Sequence, residues 1–282
     1  MTRLAEYAID TGWDPALPDH LSPTQLGMFQ RCKFQFWRRY LHHEKERPGE
    51  SLTVGSAVHG GLDRNYRQKI TSHVDLPTHE LLEWFTDEGW QKTLAEQQES
   101  SGLDILWNGE PEEAMKRGRS MLGAYHKLVA PRVQPVGVEG WISVDFGAPV
   151  PVEGRYDVEL ENGVIDVKTG KRAERKPKGG WRIQAAVYGE ATGKPVEFHS
   201  VTATEKSRTP TIITPLEAPA MLCAPSENER AAQRAIVLAL CGEIYACFKR
   251  YGLDEPWPTT GVFHDWACNT CGWRPICPAW DS

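Results

Sequence analysis

Asp157 and the triplet Asp166-Val167-Lys168 hold the residue types best able to bind a divalent cation in this sequence. In a strand successive side chains alternate faces, so Asp166 and Lys168 share a side and Val167 points to the other. Asp157 falls on the strand before, where hairpin pairing can bring its carboxylate beside Asp166. Two carboxylates and an ammonium on one face are costly unless a cation joins them, and oxygen donors of this kind suit Mg²⁺ or Mn²⁺. Such an ion polarises a phosphate and activates water, while Lys168 orients or deprotonates that water. Alone, Asp-x-Lys is a weak pattern that a solvated surface pair also satisfies. His59, in Gly55-Ser56-Ala57-Val58-His59, offers an imidazole from a separate helix. Gln184 and Tyr188 stand at i, i+4 and so share a helix face.

A second constellation is made of sulfur. Cys268, Cys271 and Cys277 give C-x₂-C-x₅-C in a Trp- and Pro-rich tail, and such tight spacing lets one loop wrap a metal centre. Three thiolates leave one position unfilled. Cys32 is the best candidate for it, which requires the two ends of the chain to meet. By spacing alone, structural Zn²⁺ and an iron–sulfur cluster both fit. Cys223, Cys241 and Cys247 read as buried or incidental thiols.

The elements that must position these groups come in three regions. Residues 22–41 form an expected helix opened by Ser22 as N-cap with Pro23 at its first position. Further helices are expected over 55–70, 78–100 and 111–130. Strands are expected over 136–146, 150–160 and 163–169, with Asn162-Gly163 as a two-residue hairpin turn. A helix from about Trp181 to Thr192, closed by Gly193, and a strand over 196–204 follow. The clearest helix is 226–251, with a Ser226/Glu229 capping box and Gly252 as its stop. This order predicts an α/β architecture with a central mixed sheet flanked by helices.

Net charge is −6, which argues against a protein that coats nucleic acid non-specifically but leaves room for a local basic patch. Residues 171–182 hold Lys171, Arg172, Arg175, Lys176, Lys178 and Arg182 against Glu174. The aromatic and basic run RCKFQFWRRY (31–40) suits strand binding by stacking, and equally an amphipathic core helix. No apolar run is read as long enough to cross a bilayer. The first residues lack the apolar stretch of a secretory signal. The expected compartment is cytoplasmic.

In order, the series GSAVH, GRYD, DVKTG and QAAVY resembles the RecB-like nuclease motifs of the PD-(D/E)XK superfamily. The resemblance implies a restriction-endonuclease-like core in one nuclease domain. Residues 22–50 would carry the first cluster cysteine, 51–205 the catalytic core with a helical insertion at about 72–130, and 206–282 the last helix and cysteine segment. It implies His59, Asp157, Asp166 and the Val167 carbonyl as metal ligands, Lys168 as catalytic lysine, and Gln184 and Tyr188 as DNA contacts beside the site, with Lys171 and Arg172 following. Glu139 stands where relatives often carry an acid, and its role is left open. AddB-type nucleases and those of CRISPR spacer acquisition carry one early cysteine and a C-terminal triple around a 4Fe–4S cluster. The same is therefore expected of Cys32, Cys268, Cys271 and Cys277. The implied activity is metal-dependent exonuclease action on DNA, at single-stranded or free ends, with recombination, repair or spacer-acquisition proteins as partners. The alternative is a catalytically inactive DNA-end-binding or assembly subunit.

Overall fold

A computed structural model describes residues 12–203, 209–259, 268 and 271–280. The reading of the first residues as no secretory signal falls largely outside these, as does much of the tail before Cys271. Ser22 accepts the Gln25 amide and opens helix α1 (Pro23–Arg31). The continuous helix expected to residue 41 breaks at Cys32, whose backbone is extended (φ −159°, ψ 113°). The chain resumes as α2 (Lys33–Phe36) and a π-helical turn, Trp37–Leu41. Phe34, Phe36 and Trp37 are buried, so these aromatics of run 31–40 form core and have no face free for a base.

Helix α3 (Glu50–Ser72) leads into the expected insertion: α4 (Thr78–Trp84), a π-helical turn at Phe85–Gly89, α5 (Trp90–Ser101) and α6 (Pro111–Leu128). Strands β1 (Gly137–Val144), β2 (Val152–Glu159) and β3 (Val164–Gly170) form an antiparallel meander. The turn between β2 and β3 is closed by the Leu160 amide on the Gly163 carbonyl at 2.8 Å. It is thus centred on Glu161-Asn162, one residue before the expected pair. Helix α7 (Gly179–Thr192) crosses over to β4 (Val196–Thr202), which lies parallel to β3. Two short strands absent from the sequence reading, β5 (Thr211–Ile213) and β6 (Leu222–Cys223), pair antiparallel with β4. Helix α8 (Glu227–Tyr251) carries the predicted capping box.

The mixed sheet separates two cores. On one side Phe29, Val164, Ile183, Phe198, Ile244 and their neighbours pack beneath α1, α7 and α8. On the other, Val58, Leu62, Leu122, Tyr125, Ile165 and Val167 pack beneath α3 and the insertion. The expectation about membrane crossing needs correcting. Helix α8 contains an 18-residue window of mean hydropathy 1.4 and is long and apolar enough to span, because Ala, Leu and Cys lie on several of its faces. Its Val237, Leu240, Cys241, Ile244 and Cys247 are buried in the first core.

Candidate functional site

Helix α3 can lie close to β3 because of Gly55. A Cβ there would stand 2.7 Å from Thr169 Oγ1, inside van der Waals contact. His59 follows one turn later on the same face, and its Nδ1 lies 3.2 Å from Asp157 Oδ1. The glycine that opens the GSAVH motif therefore sets the reach of the histidine that closes it.

Asp157 occupies a split in the sheet. Strands β2 and β3 pair at Glu159↔Val164 and Val158↔Ile165 and then diverge. The Val167 amide, which a continuing ladder would have bonded to β2 backbone, instead donates to Asp157 Oδ2 at 2.6 Å. The carboxylate thus spans from the gap between the strands to His59 on the α3 side. Burial alone would raise the Asp157 carboxyl. His59, Lys168 and the Val167 amide outweigh it and hold Asp157 below the usual carboxylate range.

Both β1 and β2 change face at this point. In β2, Val152 and Tyr156 join the core beneath α1 and α7, yet Val158 joins the opposite core. In β1, Ile142 packs on the first core and Val138 on the second. The pairing register is unchanged across the flip, so both strands rotate together. Glu139, opposite Asp157 by that register, takes a left-handed backbone conformation (φ 51°), which costs a non-glycine residue roughly 1–3 kcal/mol. The next residue, Gly140, leaves room for the Tyr156 ring, which a Cβ would penetrate.

The strained backbone aims Glu139 at the same point as its neighbours. Ligand atoms of His59, Glu139 and Asp157 all lie within 4.8 Å of one another, the group of this kind found among the described residues. An octahedral ion with bonds of about 2.1 Å spaces its ligands about 3 to 4.2 Å apart, so small side-chain shifts close the group on such an ion. Burial, then the nearby Asp157 charge, raises the Glu139 carboxyl, and Arg155 and His59 oppose that. Arg155 Nε stands 2.7 Å from Glu139 Oε2. Burial alone would lower the His59 imidazole, but Asp157 overrides it and His59 is pushed up to about 9.

Asp166 lies just behind. Its side chain is buried, on the face of β3 that carries Val164. Asp166 Oδ2 forms an ion pair with Lys168 Nζ at 2.6 Å. Burial pushes the Asp166 carboxyl up to about 6, with the Asp157 charge adding to the rise and Lys168 opposing it. Asp166 stands outside the three-residue group while remaining within electrostatic reach of Asp157 and His59.

Lys168 lines two clefts. One, of about 610 Å³, is walled by α3, the insertion and the carboxylates, and holds His59, Glu139, Arg155 and Asp157. The other, of about 960 Å³, runs between α1 and the start of α7, lined by Gln30, Arg31, Lys178, Trp181 and Gln184, with no carboxylate among its described lining residues. Gln184 donates to the Tyr188 hydroxyl (3.3 Å), which donates to the Arg155 carbonyl (2.8 Å). Tyr188 is thereby buried as a brace of α7 on β2, and Gln184 is the member of that pair facing the cleft. Lys171 and Arg172 are exposed just past the end of β3.

The cysteines gather where the chain ends meet. Cys32 sits in the break between α1 and α2. The Phe34 amide bonds the Pro258 carbonyl (3.1 Å), Gln35 Nε2 donates to Cys271 Sγ (2.9 Å), and the Gly272 amide donates to Glu46 (2.8 Å). Burial raises the Cys271 thiol, and Cys32 lies close enough to add to that rise. Cys32, Cys271 and Cys277 are half-buried against the first core. The Cys271 amide bonds the Cys268 carbonyl at 3.2 Å.

The family model of the PD-(D/E)XK nuclease superfamily matches residues 20–278. A crystal structure of an exonuclease candidate from Eubacterium rectale superposes with a TM-score of 0.56 at 14% identity, covering 91% of this chain and 87% of that one. That likeness is one of fold. A second solved structure, SSO0001, is 16% identical and covers 77% of this chain and 95% of that one, with a TM-score of only 0.39. No curated protein matches.

Proposed function

Because the chain belongs to the PD-(D/E)XK nuclease superfamily, we propose that it is a Mg²⁺- or Mn²⁺-dependent deoxyribonuclease degrading DNA from free, single-stranded ends. The observation that carries this reading is the convergence of His59, Glu139 and Asp157 on one point, with Lys168 lining the same cleft. His59, Glu139 and Asp157, with Asp166 and the Val167 carbonyl at their back, would hold the ion. When bound, it supplies Lewis-acid polarisation of the phosphate and acidification of water. Lys168, kept beside the buried Asp166 carboxylate, orients or deprotonates the attacking water and offsets charge on the phosphate. The carboxylate-free cleft past Lys168 gives a phosphate backbone a path bordered by Arg31 and Lys178, with Gln184 at its wall and Lys171 and Arg172 beyond. Action at ends is also in keeping with what the Eubacterium rectale protein is described as. A non-catalytic end-binding subunit is the second reading. It is disfavoured because the acids, the imidazole and the lysine are all present.

Cys32, Cys268, Cys271 and Cys277 would bind a 4Fe–4S cluster as a clasp on the chain ends. The support for this is the meeting of the early and late cysteine segments, with Gln35 on Cys271 Sγ and the Cys271 amide on the Cys268 carbonyl. The activity is tested by digesting end-labelled single- and double-stranded DNA with and without Mn²⁺. The cluster is tested by anaerobic purification with a visible spectrum and iron and sulfide analysis. A colourless, zinc-containing protein would overturn the cluster and leave the nuclease reading standing.

A further inference from the structure

Trp141 is 74% exposed, an unusual placement for the largest apolar side chain. It lies on β1, the edge strand of the sheet, and belongs to neither hydrophobic core. Its register partner on β2 is Arg155, whose guanidinium carbon lies 5.8 Å from the indole centroid. Arg155 also lines the cleft of the carboxylates and pairs with Glu139. Its backbone carbonyl is pinned by the buried Tyr188 hydroxyl, so the strand presenting this pair is braced from the core. An open aromatic face, a cation alongside and direct continuity with the site are what an unpaired nucleotide needs: a surface for its base and a charge for its phosphate.

We propose that Trp141 and Arg155 form a nucleotide subsite at the mouth of the cleft, the indole stacking an unpaired base and Arg155 holding the adjoining phosphate. The subsite deepens the nuclease reading and rests on it for its substrate class. Paired bases present no free face to the indole, so the subsite favours single strands. It also takes over the stacking role that Phe34, Phe36 and Trp37, buried in the core, do not perform. Arg155 links the subsite to the metal group: a phosphate competing for its guanidinium weakens the pairing with Glu139 and frees that carboxylate beside Asp157 and His59.

The test measures binding of a fluorescent fifteen-nucleotide oligothymidylate and of a blunt duplex of equal length, in EDTA so that neither is cleaved. Wild type, Trp141→Ala, Trp141→Phe and Arg155→Lys are compared, with thermal melting and light scattering on each. Trp141→Ala is expected to weaken single-strand binding about ten- to a hundredfold, Trp141→Phe to retain most of it, and duplex binding to change less than twofold. Arg155→Lys keeps the charge and loses the planar fork, and an intermediate loss on the single strand is expected. Single-strand binding by Trp141→Ala equal to wild type overturns the inference alone, as does an equal loss on both substrates. A wild-type dimer that Trp141→Ala dissociates also overturns it, by showing the indole covered by a second copy. Wild type that binds the single strand but never cleaves, with the Trp141 effect intact, sinks the cleavage reading and leaves the subsite. Wild type that binds neither nucleic acid sinks both.

Discussion

The oxygen- and nitrogen-bearing centre and the cysteine group are held in place by opposite means. Each proposed ligand of the first is fixed by regular structure. His59 is fixed by a helix that Gly55 lets onto β3, Asp157 by the split between β2 and β3, and Glu139 by a strand that turns over with its partner. The cysteines come from a helix break and a C-terminal run of turns, joined through single contacts such as Gln35 to Cys271. One site is preorganised by its scaffold, at the cost of a strained Glu139 and two like charges in close quarters. The other gathers loose ends, so a bound group there contributes to the fold itself. Chemistry and stability should therefore separate when each site is disturbed.

The largest expected effect is on chemistry alone. Lys168→Ala should lower the Mn²⁺-dependent cleavage rate by about a thousandfold or more, with Mn²⁺ binding and melting temperature near wild type. A rate loss matched by an equal loss of stability would erase the contrast. Cys271→Ser should act the other way. It should abolish the visible absorption of the proposed cluster and cost roughly 3 kcal/mol, or about 6–12 °C in melting temperature for a chain of this size, while cleavage per folded molecule below the melt stays within a few-fold.

Protons sharpen the contrast next. Metal-free His59 is pushed up to about 9, so below that pH an ion must displace its proton to reach the imidazole. Mn²⁺ affinity should rise with pH, by up to about tenfold per unit, and level off above pH 9, with about one proton released per ion. Calorimetry in buffers of different ionisation enthalpy counts that proton. Below about pH 6 the Asp166 carboxyl takes up another and steepens the fall. In metal-free protein the sign for stability is opposite. The His59–Asp157 pairing is fully stabilising below pH 6.5 and fades as pH rises through about 9, because the folded imidazole has the higher pKa. Cysteine variants should leave both profiles unchanged. The smallest effect is that of Glu139→Gln. It removes a half-buried charge facing Asp157, so stability in EDTA should rise by up to about 1 kcal/mol, while Mn²⁺ affinity falls about tenfold.

Much of this was legible in the residues. Alternation in β3 predicted the shared side of Asp166 and Lys168, the capping box marked α8, and motif order brought His59 to the carboxylates. The family match and the mixed sheet bear out the fold. Glu139 could not be assigned from sequence, because its part depends on a left-handed residue inside a strand that reads as regular. Gly140 beside it is the one signal in the chain that something unusual happens there. The break at Cys32 was hidden because the apolar period continues through it. The aromatics of 31–40 left two readings open, since stacking and packing use the same side chains. The exposure of Trp141 is a property of the edge of a sheet whose strand order the sequence does not state.

The central claim is that an ion held at Asp157 cuts a phosphodiester. Asp157→Asn tests it most directly, because the amide keeps an oxygen for the Val167 N–H yet loses the charge that draws His59 and a cation. End-labelled DNA incubated with this variant and increasing Mn²⁺ should remain full-length at concentrations where wild type degrades it completely, while circular dichroism and visible colour match wild type. Degradation at the wild-type rate by the folded variant would contradict the account.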